Sequence, residues 1–205
     1  PGPTYIKDSL DPGSGETPLI GALGSPSDWS RDGQWIALYG DTRSPRSGSI
    51  KVASAPHGPV LDFMESPFAV SSPRFSPDAK WIAYASNESG RYEVYVRPFA
   101  GRPAAASDTK IQVSTTGGDY PVWKNDGKEL FFLAADLKLY SVQIADFQRA
   151  DAAPQSVALF APPMRATPWL HPYDVSPDGQ RFLFNCNTLA PGRFDVMLNW
   201  AMPTK

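Results

Sequence analysis

Residues that usually carry chemistry are scarce in this chain of 205 residues, which has one cysteine, Cys186, and two histidines, His57 and His171. A single thiol excludes an internal disulfide framework, and on an apolar strand it reads as a small buried hydrophobe. No apolar run nears the roughly 20 residues of a bilayer-spanning helix, so direct membrane insertion is not expected. The opening PGPTYIKDSL carries no signal-peptide pattern and reads as a start within something longer. Charge of one sign is missing too. Nineteen basic against 21 acidic residues leave a net charge of −2 without a charge run, which argues against nucleic acid as a partner held by bulk charge. No segment shows a 3.6-residue apolar period, so little helix is expected.

Catalytic signatures are equally thin. There is no Gly-x-Ser-x-Gly elbow, no Gly-rich phosphate loop, and no His-Arg-Asp or Asp-Phe-Gly motif; "DFM" at Asp62 reads as strand. His57 lies in the loop "SAPHGPV" and His171 in "WLHPYD", with no partner identifiable from spacing. "DPGSGE" at 11–16 has too few spaced carboxylates for a calcium loop. The sequence therefore predicts no enzyme, no metal and no cofactor. "NES" at 87–89 matches a glycosylation sequon in form and reads as the polar tip of a hairpin.

What the chain does have is proline, glycine and repetition. Its 22 prolines and 16 glycines suit a chain that turns often, and its apolar fraction of 41% suffices for a packed interior. "SRDG", "SPDA", "KNDG" and "SPDG" begin at residues 30, 76, 124 and 176. Their aspartates Asp32, Asp78, Asp126 and Asp178 are 46, 48 and 52 residues apart, the period of propeller blades. Pro77 and Pro177 preset φ for a turn, and Asp beside them favours local hydrogen bonding. Gly33, Gly127 and Gly179 can enter the left-handed region that a three-residue hairpin loop demands. Ala79 breaks that rule, so its turn is either strained or different.

The flanks repeat as well. Trp29, Phe75, Trp123 and Val175 stand three residues before each aspartate. Four and six residues after it come Ile36 and Leu38, Ile82 and Tyr84, Leu130 and Phe132, Phe182 and Phe184. Spacing of two puts each pair on one face of a strand. The intervening Ala37, Ala83, Phe131 and Leu183 are apolar too, so both faces are covered, as in a sheet stacked between sheets. Third runs ("SIKVAS", "YEVYVRPF", "KLYSVQI", "FDVMLNW") follow in all four units, and fourth runs ("VLDFM", "KIQVS", "SVALF") in the first three.

The expectation is an all-β chain, residues 1–205 forming one β-propeller domain or fragment of four-stranded antiparallel blades with strands A to D. Blade 1 covers 28–65, blade 2 71–114, blade 3 119–161, and blade 4 171–201 without its own fourth strand. Residues 1–27, with "TYIKD" and "ETPLIGAL", read as the last strands of a preceding blade. Either the chain is a partial propeller, or "PLIGAL" supplies the missing strand and closes a small ring. A partial propeller would bare the apolar sides of its terminal blades and self-associate through them.

"PRFSPDAKWIAYASNESGRYEVYVRPFAG" (73–101), "QVSTTGGDYPVWKNDGKELFF" (112–132), "YDVSPDGQRFLFN" (173–185) and "VMLNW" (196–200) resemble WD40-like repeats of the TolB type. They are most similar to the C-terminal propeller segments of bacterial eukaryotic-like serine/threonine protein kinases. Departures are Ala79, the proline-less turns at 30 and 124, and the alanine-rich "AGRPAAASDTK" at 100–110. The resemblance implies a non-catalytic binding or sensor module: either the part of a receptor-like kinase beyond a membrane, with any kinase activity in another part of the polypeptide, or a TolB-like protein. The alternatives are a hydrolase- or peptidase-associated propeller with a site at the channel mouth and a purely structural spacer. A periplasmic or other extracytoplasmic setting is expected from the resemblance only, with a cytoplasmic one as the alternative.

Strand A descends the channel and strand B returns, so the D–A and B–C loops share one rim. That rim would carry Asp28, then Asn87, Glu88, Ser89, Gly90 and Arg91, then Gly118, Asp119 and Tyr120, and finally His171 and Tyr173. Tyrosine and arginine dominate interface energetics, and TolB-type propellers hold protein partners on this face. The expected partner is accordingly a protein, peptide or small envelope ligand. The turn residues Asp32, Gly33, Pro77, Asp78, Asp126, Gly127, Pro177, Asp178 and Gly179 read as structural.

Overall fold

The structure is a computed structural model that describes residues 3–7, 13, 15–40, 48–55, 58–99, 109–148, 154–162, 172–185 and 195–197. Its local unit is the turn read from the sequence. In "SRDG" the Gly33 amide donates to the Ser30 carbonyl (2.9 Å), and the Ser30 hydroxyl donates to the Asp32 carboxylate (2.6 Å). The same hydroxyl accepts the Trp35 amide (2.9 Å), and Asp32 accepts that of Gln34 (3.0 Å). Ser76 and Ser176 repeat the pattern with Asp78 and Asp178. At the third turn Lys124 replaces serine, and the backbone bond Gly127 to Lys124 (2.9 Å) with the Asp126–Lys128 bond (2.9 Å) keeps the shape. The fourth position is left-handed every time, with φ 72° at Gly33, 69° at Gly127 and 72° at Gly179. Ala79 joins them at φ 52°. The turn is the same and the strain is real.

Each turn joins two strands, and each such hairpin grows outward into one antiparallel sheet. Strands β3 (Ser25–Trp29), β4 (Trp35–Tyr39), β5 (Gly48–Ser54) and β6 (Val60–Ser66) pair in chain order. So do β7 (Val70–Phe75), β8 (Trp81–Ser86), β9 (Glu93–Pro98) and β10 (Ile111–Gln112). The third sheet is β11 (Asp119–Trp123), β12 (Glu129–Leu133), β13 (Leu139–Gln143) and β14 (Ser156–Phe160), with a 3₁₀ turn at Ile144–Gln148. The fourth has three described strands, β15 (Tyr173–Val175), β16 (Phe182–Phe184) and β17 (Asp195–Met197). This is the all-β propeller expected from the repeat. The segments after the four aspartates are the second strands of four separate sheets.

At the N-terminal side β1 (Pro3–Ile6) pairs with β2 (Thr17–Leu23). Ile6 packs on Ile36, Leu38 and Ala53, and β2 lies against β5 and β6. Among the described residues β2, which holds "PLIGAL", bonds to β1 alone.

The core lies in the seams between sheets. Phe75 and Phe99 of the second sheet meet Ala37 and Val52 of the first, with Phe99 ringed edge-on by Trp35 and Phe63. Trp123, Leu130 and Phe132 meet Ala83, Val94 and Val96 in the next seam. Phe182, Phe184 and Tyr173 meet Phe131, Leu133 and Leu139 in the last. Two positions depart from the periodic expectation. Trp29 is 48% exposed and Leu183 50% exposed, and each lines a cavity that Arg74 borders.

Candidate binding site at the channel mouth

Inner strands β3, β7, β11 and β15 line the axis, and three of them slip register. The shifts fall at Pro26/Asp28, Ser71/Arg74 and Asp119/Val122. Such bulges re-aim side chains near functional sites. Within them Ser72 and Tyr120 take left-handed backbone (φ 53° and 55°), each just before a proline, Pro73 and Pro121. A non-glycine residue held there stores about 1–3 kcal/mol, so the surroundings must enforce it.

At Tyr120 the enforcers are identifiable. Its amide donates to the Asp119 carboxylate (2.7 Å), which also accepts the Ser71 hydroxyl of the neighbouring sheet (3.3 Å). Its carbonyl accepts the buried Tyr173 hydroxyl from the sheet beyond (2.9 Å). Burial pushes the Asp119 carboxyl above its ordinary value, against the pull of these donors. Burial raises the Tyr120 phenol too, followed by the charge of Asp119 and the nearby phenols of Tyr39 and Tyr92. Tyr92 is raised by burial and then by Asp119; Tyr173 is raised far more, by complete burial. One tyrosine from each of four sheets therefore stands within electrostatic reach of this mouth: Tyr39, Tyr92, Tyr120 and Tyr173.

Below the mouth lies Arg74. It ion-pairs with Asp28 (3.3 Å), whose other oxygen accepts the Phe75 amide (2.8 Å). Burial raises the Asp28 carboxyl although Arg74 draws it down. The Trp123 indole donates to the Arg74 carbonyl (3.1 Å), tying the second inner strand to the third. Arg74 borders two cavities. One of about 280 Å³ opens among Tyr173, Asp174, Leu183, Phe184 and Asn185. The other, about 200 Å³, lies toward the hairpin turns among Asp28, Trp29, Arg31, Pro77 and Trp123.

The structure gathers some of the sequence-predicted rim residues and separates others. Asp119, Tyr120 and Tyr173 meet at the mouth. Asp28 sits deeper, in the ion pair with Arg74. Asn87 is held by the chain itself, accepting the Ala69 amide (2.9 Å) and donating its own to the Ala69 carbonyl (3.2 Å). Glu88 pairs with Lys110. Arg91 donates to Glu93 (2.7 Å) and to the Thr115 carbonyl. Glu93, only 1% exposed, also accepts the Gly117 amide (2.9 Å) and the Ser114 hydroxyl, bracing the loop that leads into β11. His171, like His57 and Cys186, lies outside the described residues. Sequence reasoning missed Tyr39, Tyr92, Arg74 and Glu93. Arg74 had a signal: with Asp28, Val122 and Asp174 it stands four residues before each repeated aspartate.

Among the described residues no three metal-ligating side chains gather, and no helix is long and apolar enough to cross a membrane. No protein-family model matches the sequence, and no curated protein does. Solved structures do match. TolB from Acinetobacter baumannii superposes with a TM-score of 0.67 at 17% identity, over 95% of this chain and 45% of that one. A structure assigned to TolB from Agrobacterium tumefaciens gives 0.63 at 14% identity, over 89% and 65%. A puromycin-hydrolyzing peptidase of Mycobacterium tuberculosis gives 0.56 at 15%, over 85% and 27%. The chain spans less than two thirds of each of these proteins. At such identities the likeness is one of fold, the TolB-like β-propeller.

Proposed function

We propose that this propeller is a non-catalytic binding module whose channel mouth holds a cationic segment of a protein or peptide. The observation that carries the reading is that Asp119 holds the Tyr120 amide and acts on Tyr92, Tyr120 and Tyr173 from three sheets, with Tyr39 of the first sheet beside Tyr120. Aromatic faces beside a carboxylate favour a lysine, an arginine or an N-terminal ammonium. Tyrosine also adds contact area at low entropic cost. The cavity under Tyr173 and Asp174 offers room for one side chain beyond the mouth. The WD40-like repeats support the setting: the extracytoplasmic, C-terminal part of a bacterial receptor-like serine/threonine kinase, or a TolB-like protein, with the module sensing or docking an envelope partner.

Titration calorimetry with lysine-containing hexapeptides, amino terminus free or acetylated, tests this. Asp119→Asn and Tyr120→Ala each weaken binding about tenfold, equal to about 1.4 kcal/mol, while the circular dichroism spectrum holds. Equal affinity in wild type and both variants would rule the reading out. The pH dependence has a fixed sign. Because burial raises Asp119, the fold is favoured by its protonation and loses that contribution as pH climbs through the raised pKa. Cation affinity moves the other way, rising as the carboxyl ionises.

A further inference from the structure

The cavity at the turn end of the channel is walled by three consecutive sheets, and its charge is unbalanced. Two guanidiniums line it, those of Arg31 and Arg74, against one carboxylate, that of Asp28. Both oxygens of that carboxylate are engaged, one by Arg74 (3.3 Å) and the other by the Phe75 amide (2.8 Å). Arg31 reaches from the first turn to the third, where its Nη1 donates to the Asn125 carbonyl (3.0 Å). A guanidinium carries further N–H donors in the same plane, and this bond holds that fork in place at the cavity. The remaining wall is largely apolar, from the indoles of Trp29 and Trp123 and the ring of Pro77. The Trp123 indole is fixed in turn by its bond to the Arg74 carbonyl.

We propose that this cavity is a binding site for a small aryl carboxylate, its acid group held by Arg31 in the positive field of Arg74 and its ring laid against Trp29. Arginine meets a carboxylate through two parallel hydrogen bonds, and an indole face takes a flat ring. A cation is disfavoured, because the one carboxylate present is already neutralised by Arg74. The volume of about 200 Å³ falls below the roughly 300 Å³ at which pockets take drug-sized molecules. That limits the occupant to a single ring and its acid group. This chemistry has two sources, a free aromatic acid and the C-terminal residue of a peptide ending in phenylalanine. Arg31 and Trp29 take no part in the mouth around Asp119 and Tyr120, so the two sites stand or fall separately.

Proton–nitrogen correlation NMR of the whole 205-residue chain decides the matter through the indole N–H signals of its six tryptophans. Trp29→Phe identifies the Trp29 signal by its loss. Phenylacetate moves that signal saturably, in the millimolar range expected of so small a ligand. Phenylacetamide keeps the shape without the charge, and acetate keeps the charge without the ring; each binds about tenfold more weakly. Arg31→Gln weakens phenylacetate by a similar factor, and because Arg31 is exposed the fold survives the change. A hexapeptide ending in phenylalanine, compared with its C-terminal amide, separates the sources. Tighter binding than phenylacetate assigns the site to chain ends, and weaker or equal binding assigns it to free acids. A Trp29 signal that phenylacetate leaves unmoved overturns the proposal. So does undiminished binding by Arg31→Gln, or phenylacetamide binding as tightly as phenylacetate, a comparison that needs no variant to fold.

Discussion

The two ends of the channel are built on opposite plans. At the turn end, one device occurs four times: a tetrapeptide closed by its own backbone, an aspartate and, in three cases, a serine hydroxyl. At the mouth end no two sheets contribute the same part. Tyr39 comes from the end of a second strand, Tyr92 from a B–C loop, Tyr120 from a bulge and Tyr173 from the start of an inner strand. Repetition marks what the fold needs at every period. Where the repeat lapses, side chains from separate sheets are free to differ, and they assemble one asymmetric surface. The difference also predicts how each end fails.

The mouth depends on single groups, so its largest loss comes from one residue. Glu93→Ala strips the partner from a buried amide, a buried hydroxyl and a guanidinium at once. Removing one member of such a network costs about 3 kcal/mol. Denaturant unfolding should show that loss, and peptide binding should fall with it because the loop into β11 slackens; an unchanged midpoint would mean the brace is not needed. At the turn end losses are smaller and local. Ser76→Ala removes one hydroxyl bridge of a threefold set and costs about 1 kcal/mol, with peptide affinity unaltered. Were affinity to drop as well, the two ends would be coupled and the contrast drawn here would fail. The smallest effect is a gain. Ala79→Gly relieves the left-handed strain at φ 52°, and after the entropy of the freer unfolded chain it should add about 0.5 kcal/mol. Gly33→Ala runs the same change backwards at a position where an added Cβ meets nothing within 4 Å, so a melting curve reads the φ strain against the unfolded-chain entropy with no steric clash added.

The turn end was legible in the chain because its information is local. Pro177, Asp178 and Gly179 announce a hairpin within four residues, and the alternation after them announces the strand. Strain at Ala79 was one of two alternatives that the glycines' conformation left open, and its φ of 52° decides between them. Trp29 was misjudged because its burial depends on which sheet lies across from it, not on its own strand. Tyr39 and Tyr92 were invisible for a related reason. They sit at unequal distances from their repeated aspartates, so no register aligns them with Tyr120, and only the curvature of stacked sheets brings them together. Asn87, Glu88 and Arg91 were visible as polar loop residues, but the sequence does not show that their side chains are committed to the Ala69 backbone, Lys110 and Glu93.

Sheets stacked only against their immediate neighbours divide the molecule into an interior and two flanks. Every residue of β12 is buried, and so are five of the six in β8; β16 hides two of three. Unfolding in such a stack travels inward from its margins, one layer at a time. The sheet carrying Tyr173 has three short described strands, so its opening is easier than that of its longer-stranded neighbours, and it takes with it one wall of the tyrosine mouth. Ligand grip and marginal fraying would then draw on a single equilibrium, each opposing the other.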